Sequence, residues 1–317
     1  MALRAVGSLF STDTPPVLAR LKAWVGRKMG SLGSGGKREK SVPAPVRRVA
    51  LRNQNVPPID RLTIAQWLWG EGFDCPGGEA HVLDLVKPFA LNPAMSTLDL
   101  SAGLGAGTRA IAHTFDTYVT GLERDPVLAK RAMEISMHMG MVKRAPVGVY
   151  DPEKLELRPH AFDCVLGRQA TYTVMDKEHF LRTVLTALKP RGQLLLTDYV
   201  ADPAAGEPAA LALWAARQRP RPSLWTVRQY TDCLTGLGFD IRITEDITDR
   251  QRRLIIGGWD RLLHNVDLKH LPKQHVRAVI DEAEIWVHAM AALESGALKL
   301  YRFYALAGRN QPGGGVR

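Results

Sequence analysis

Residues 96–113 read STLDLSAGLGAGTRAIAH. An apolar run, Thr97-Leu98-Asp99-Leu100, passes into small residues from Ser101 to Gly107 and then into a helical pattern through Arg109, Ile111 and Ala112. That is the order strand, tight turn, helix. In such a unit, glycines let the backbone approach a ligand closely and the helix N-terminus faces it. The spacing is Asp99-x3-Gly103-x-Gly105. A Gly-x-Gly turn also serves ordinary strand-to-helix connections, so the flanking segments decide its meaning.

Working outward, strands and helices alternate. Strands are expected at 97–100, 117–122, 145–149, 162–166 and 193–199, with helices at 106–114, 127–139 and 176–188 between them. Lys189-Pro190-Arg191-Gly192 reads as a turn before the fifth strand. This alternation predicts an α/β fold, a Rossmann-like, mostly parallel sheet with helices on both faces. Residues 201–295 read as mostly helical, interrupted by a strand at 239–244, and 298–307 reads as the last of seven strands. Upstream, 59–91 reads as helical and contains a dense run of aromatics and glycines, WLWGEGFDCPGG at 67–78. Four regions follow: a basic tail over 1–58, a helical lid over 59–95, an α/β core over 96–200, and a helical cap with the last strands over 201–317.

No stretch of the 317 residues approaches the roughly 20 apolar residues of a membrane span. Cys75, Cys164 and Cys233 are far apart and form no Cys-x-x-Cys, which argues against a disulfide framework or thiolate zinc site and suits a reducing compartment such as the cytoplasm. The nine histidines show no metal spacing. The net charge of +10 is concentrated in residues 1–58, which hold eleven Lys and Arg against Asp13 and Glu39. Pro15-Pro16 can open a helix there. On its wheel Val17, Leu18, Leu21, Trp24, Val25 and Met29 share one side, with Arg20 and Arg27 at one edge, Lys22 at the other and Lys28 interrupting the apolar face. A basic amphipathic helix over 15–29 is a candidate for an anionic membrane surface. Docking on its own domain, or a transit peptide, are the alternatives.

Ligands of open α/β sheets sit outside the carboxyl ends of the strands. Glu123 ends the strand after the glycine helix, where a carboxylate can accept both hydroxyls of a ribose. Asp151 follows the third strand, where a side chain can meet an adenine edge, and Arg168 follows the fourth. With Asp99, Gly103 and Gly105 they converge on one crevice. An adenosine-bearing ligand follows from this arrangement, without a choice between hydride and methyl chemistry.

The blocks TLDLSAGLGAG, VTGLE, YDPEKLEL, FDCVLGRQATYTVMDKEHFL and LKPRGQLLLTDY, spread over residues 60–307, resemble the class I S-adenosylmethionine-dependent methyltransferases. The segment WLWGEGFDCPGG is similar to the one that closes over the cofactor in the phosphoethanolamine N-methyltransferase group. The resemblance implies that Asp99, Gly103 and Gly105 border the methionine part of S-adenosylmethionine, with Ser101 where the family has its first glycine. It implies that Glu123 holds the ribose, Arg124 lies beside the adenine and Asp151 binds the adenine amino group. Arg168 would lie beneath the cofactor and Cys75 would touch it from the lid. Phosphobase methyltransferases carry an Asp, a His and a Tyr where this chain has Gln169, Thr173 and Ala65, so their acid–base set is not reproduced.

Methyl transfer is an in-line displacement in which the enzyme aligns the nucleophile and excludes water. A neutral amine needs no strong general base, whereas carbon or hydroxyl acceptors do. The fourth-strand loop lacks His or Asp beside Gln169, which favours nitrogen. Tyr172 and Tyr199 are the candidates for orienting an acceptor, and packed aromatics are the alternative reading of both. Gln169, Arg219 and Arg221 are candidate substrate contacts, the arginines for a phosphate or carboxylate, with a solvated basic loop as the competing reading. The expected function is methylation of a small molecule or lipid headgroup. A catalytically silent methyltransferase-like interaction protein, or an RNA methyltransferase holding phosphates with the tail, are the alternatives. The near-neutral globular part argues against nucleic acid.

Overall fold

In the computed structural model the described residues are 59–205, 208–268 and 270–308, together with Ala23 and Arg27. The expected amphipathic helix at 15–29 lies outside the described residues, save those two. Two helices lead in. Helix α1 (Arg61–Trp69) is capped by Asp60, whose carboxylate accepts from the Thr63 amide at 2.8 Å. Helix α2 (Gly78–Leu85) follows a turn rich in glycine, and a 3-10 turn (Lys87–Phe89) leads to the sheet.

The sheet contains β1 (Ser96–Asp99), β2 (Tyr118–Glu123), β3 (Val147–Val149), β4 (Phe162–Arg168), β5 (Leu188–Ala201), β6 (Phe239–Asp246) and β7 (Leu298–Ala307), in the order β3-β2-β1-β4-β5-β7-β6. The first five run parallel, and β7 is antiparallel to both β5 and β6. The helices that connect the parallel strands are α3 (Ala106–Thr114), α4 (Pro126–His138) and α5 (Lys177–Ala187). Then come α6 (Pro208–Ala215), α7 (Val227–Leu237), α8 (Thr248–Asn265) and α9 (Lys273–Glu294). Both faces of the sheet are covered, so Thr97, Leu98 and Asp99 of β1 are all fully buried. This is why a central parallel strand reads as a continuous run rather than an alternation.

Most strand ends shift by one or two residues from the sequence expectation, and in β4 and β5 the difference bears on the site. β4 continues to Arg168, which carries that residue's backbone into the sheet. Lys189–Gly192 is not a separate turn. It lies within β5 as an irregularity, because Phe162 pairs with Leu188 while Cys164 pairs with Gln193. Arg191 takes a φ of 63° to absorb the extra residues.

One core packs α1, α2, α3, α8 and α9 on one face of the sheet, and a second packs α5 and α7 on the other. Helix α8 crosses α1 closely: a Cβ at Gly258 would lie 2.1 Å from the Trp69 ring. Helix α1, from the leading segment, and helix α8, from the second half of the chain, are therefore in close contact.

Candidate active site

Register sets the first part of the site. β1 and β4 are parallel neighbours with Asp99 beside Leu166, so the chain leaving β1 runs past Arg168. Asp99 is fully buried. Its carboxylate accepts from the Ser101 amide at 3.1 Å, the Ser101 hydroxyl at 3.3 Å and the Thr108 hydroxyl at 3.0 Å. It also pairs with the Arg168 guanidinium at 3.4 Å. Arg168 in turn donates to the Ser101 carbonyl at 2.5 Å through Nη2, and its backbone amide donates to the Ser101 hydroxyl at 2.8 Å. Burial works against the Arg168 charge, but Asp99, Cys75 and Asp74 outweigh it and raise its pKa. Its Nε–H is buried and has no partner.

Glu123 ends β2 and is buried. It accepts from the Gly103 amide at 2.8 Å and the Asp125 amide at 2.9 Å, one on each oxygen. Each oxygen keeps a further acceptor site. Burial raises the Glu123 pKa. Arg124 reaches across to the Thr173 hydroxyl at 2.6 Å.

These groups open on a cavity of about 260 Å³. Its floor and one wall are Leu100, Ser101, Glu123, Arg124, Tyr150 and Arg168, and Asp74, Cys75 and Pro76 of the lid turn form a second wall. Burial pushes the Cys75 thiol up to about 12, so it is neutral. The far end is aromatic. Tyr172 and Tyr199 meet edge to face at 5.4 Å, and Trp214 of α6 lies 6.0 Å from the first ring and 5.3 Å from the second. Gln169, Gln218, Ile285, Trp286 and Ala289 complete that end, with Arg61 among the lining residues. Arg61 is tied to Glu282 of α9 at 2.6 Å, and the Trp286 indole donates to the same carboxylate at 2.8 Å. Burial raises the pKa of both tyrosines, so neither ionises near neutrality. They can orient an acceptor by hydrogen bonds and ring faces but cannot act as phenolate bases.

Behind the aromatic end sits Asp198. It accepts from the Thr171 amide at 2.8 Å and the Tyr230 hydroxyl at 3.2 Å, and also from the Thr171 hydroxyl. Burial pushes its carboxyl up to about 6, against those donors. Asp198 thus anchors the two segments that present Tyr172 and Tyr199.

Cys75, Ser101, Glu123, Arg124, Arg168, Gln169, Tyr172 and Tyr199 all line the one cavity. Asp99 stands directly behind its wall. Gly103 and Gly105 do not line it, because the space their missing side chains leave is already filled. A Cβ at Gly103 would meet the Asp74 carboxylate at 2.7 Å, and one at Gly105 the Arg109 guanidinium at 2.5 Å. Asp151 is exposed and caps the Glu153 amide at 3.0 Å, outside the lining. Arg219 and Arg221 are exposed; Arg219 turns back on the carbonyls of Ala216 and Gln218 at 2.9 and 2.7 Å. Sequence reasoning missed Arg61, Asp74, Trp214, Gln218 and Trp286. Asp74 stood in the quoted lid run and is the one with a readable signal, a carboxylate inside an otherwise aromatic and glycine stretch.

The fold and the loop at Asp99 define a class. The family pattern described as "Methyltransferase domain" matches residues 79–243, more than half of the chain, and the chain belongs to that family. It is 29% identical to phosphoethanolamine N-methyltransferase 3 of Arabidopsis thaliana over 188 residues, which is 59% of this chain and 37% of that protein. It is 27% identical to phosphoethanolamine N-methyltransferase 2 of Caenorhabditis elegans over 192 residues, 60% of this chain and 43% of that protein. The chain thus spans about two fifths of the length of these relatives. Among solved structures, Haemonchus contortus phosphoethanolamine N-methyltransferase 2 in complex with S-adenosyl-L-methionine has the same fold. The TM-score is 0.70 at 21% identity, over 78% of this chain and 56% of that one.

Proposed function

We propose that this chain binds S-adenosylmethionine and transfers its methyl group to the nitrogen of a small molecule. The observation that carries the reading is the single cavity in which Glu123, Ser101 and Arg168 meet an aromatic end built by Tyr172, Tyr199 and Trp214. The residues fit the cofactor chemically. Glu123 retains acceptor capacity for ribose hydroxyls, and the orphaned Nε–H of Arg168 is a buried donor in search of an anionic or carbonyl partner. When bound, the cofactor supplies an electrophilic methyl group on a sulfonium.

The chain's own work is alignment and exclusion of water. Asp99 holds Arg168 and Ser101 in place without touching the cavity. The aromatic faces of Tyr172, Tyr199 and Trp214 suit an amine, whose positive charge grows as the new bond forms. No ionised base is required of Tyr172 or Tyr199 for such an acceptor. The side-chain amides of Gln169 and Gln218, each with a carbonyl acceptor and an NH2 donor, can orient it. Neither a silent protein nor an RNA enzyme needs this pairing of a polar end with an aromatic end.

The reading is tested by incubating the protein with isotopically labelled cofactor and a fractionated extract of amines and lipids. Label recovered on nitrogen by mass spectrometry supports it. A protein that fails to bind cofactor in calorimetry at millimolar concentration defeats it.

The basic charge of residues 1–58 favours a finer form, in which the acceptor is a headgroup at an anionic membrane surface reached through 15–29. Among the described residues no helix is long and apolar enough to cross a membrane. Pelleting with phosphatidylserine vesicles, with and without residues 1–58, tests it; equal binding of both forms would rule out the role of the tail.

A further inference from the structure

We infer that Asp74, from the lid turn, is a specificity residue that makes the cavity prefer the cationic cofactor over its neutral demethylated product. This rests on the cofactor reading above and adds a role for a residue outside the β1 loop.

The position of Asp74 is set by two close approaches. Gly72 takes a φ of +76°, and a Cβ there would lie 2.8 Å from the Cβ of Ala106, so the lid turn is seated on the first residue of α3. Two residues on, the whole carboxylate of Asp74 lies against the α-carbon of Gly103: a Cβ at Gly103 would meet Oδ1, Cγ and Oδ2 at 2.7, 3.0 and 3.0 Å. Gly103 is therefore needed to admit the lid carboxylate. Asp74 lines the cavity and keeps exposed surface, although the protein crowds its carboxylate at Gly103.

Charge on the inner wall is not balanced. Arg168 is the buried cation, and Asp99 already pairs with it at 3.4 Å. Arg61 is held by Glu282, and its side chain is 66% exposed. Arg124 is exposed and turned onto the Thr173 hydroxyl. Two lining carboxylates remain, Glu123 and Asp74. Glu123 already accepts two backbone amides and is the one placed for neutral hydroxyls. Asp74 instead interacts with its own backbone amide and the neighbouring Cys75 thiol. Burial raises its pKa and Arg168 pulls it back down, with the charge of Asp99 adding to the rise. A cation placed in the cavity beside this carboxylate favours its charged form and is attracted by it.

S-adenosylmethionine and S-adenosylhomocysteine share the adenosine, the ammonium and the carboxylate. They differ by one methyl group and one positive charge on sulfur. An anion on the cavity wall therefore favours the first, and its influence on the second is limited to the groups both ligands share. For an enzyme this helps to release the product.

The test is calorimetric titration of S-adenosylmethionine and S-adenosylhomocysteine into the full chain and its Asp74→Asn and Asp74→Glu variants. Asp74→Asn is expected to weaken the cationic ligand roughly ten- to fiftyfold relative to the neutral one. Asp74→Glu, which keeps the charge, should recover most of that selectivity. Equal weakening of both ligands by Asp74→Asn overturns the inference, because the carboxylate would then serve only shared groups. An unchanged ratio overturns it too. If the wild-type chain binds neither ligand, the cofactor reading falls first and takes this inference with it.

Discussion

At one end of the cavity, Ser101, Glu123 and Arg124, with Asp99 behind them, come from a single stretch, residues 99–124, and Arg168 comes from the adjacent strand. At the other, Tyr172, Tyr199, Trp214 and Trp286 come from four separate elements across the second half of the chain. The first end is knitted by hydrogen bonds: Asp99 holds Ser101, Thr108 and Arg168, and Arg168 holds Ser101 in return. The second is held by ring contacts at 5.3–6.0 Å and by two buried carboxylates behind it, Asp198 and Glu282. Directional bonds in buried surroundings fix one geometry. Ring packing tolerates exchange of side chains of similar volume. Under the proposed function, the rigid polar end is the one that takes the cofactor and the more adaptable aromatic end is the one that takes the acceptor.

The largest test of this contrast removes the centre of the polar end. Asp99→Ala leaves the Arg168 guanidinium buried without its ion-pair partner. Breaking a buried pair from one side costs about 3–5 kcal/mol, and for a folded unit of this size that lowers Tm by roughly 10 °C. Thermal unfolding followed by circular dichroism reads it. A melting point within about 2 °C of wild type would mean that Arg168 is held by its other contacts and that the polar end is less cooperative than argued.

The second test addresses the aromatic end through Asp198. Its carboxyl titrates near 6 in the folded chain against 3.8 as the ordinary value. The folded state therefore binds its proton more tightly than the unfolded state does. The stabilisation is complete below pH 4 and is lost as pH rises through 6. A shift of that size corresponds to at most about 3 kcal/mol. Denaturant unfolding between pH 4 and 7 should show this slope in the wild type and a flatter one in Asp198→Asn. Identical slopes would assign the pH dependence to other groups.

How far the two ends could be read from the chain differs for the same reason. The Asp99 loop is local: strand, turn and helix follow one another, and Glu123 falls at a fixed interval after them. The lid turn was legible as a turn, but not as the seat of Asp74 on Gly103, because that contact joins segments about thirty residues apart. Trp214 and Trp286 sit on helices whose other apolar residues fill the core, so no periodicity separates a cavity wall from packing. Arg219 and Arg221 showed an inviting alternation, yet neither lines the cavity and Nη1 of Arg219 bonds to nearby carbonyls. Asp151 stands at the carboxyl end of its strand as expected; one of its oxygens caps a 3-10 turn (Pro152–Lys154), and the residue is outside the cavity lining. Strand position alone does not aim a side chain.

The smallest effect sharpens the point at Ser101, where the family resemblance expects glycine. A serine there can face the ligand or face the protein. Its hydroxyl accepts from the Arg168 amide at 2.8 Å and donates to Asp99 at 3.3 Å, so both bonds run inward and join β1 to β4. Ser101→Gly removes them and leaves the Arg168 amide without that acceptor. The expected loss is about 1–2 kcal/mol of stability, with cofactor affinity changed by less than about threefold, since the backbone carbonyl that receives the guanidinium is kept. Unfolding midpoints and calorimetry on the same preparation separate the two effects. A drop in affinity of more than about tenfold at an unchanged midpoint would show that the hydroxyl serves the ligand. The polar end would then depend on a contact that the Asp99–Arg168 network does not explain.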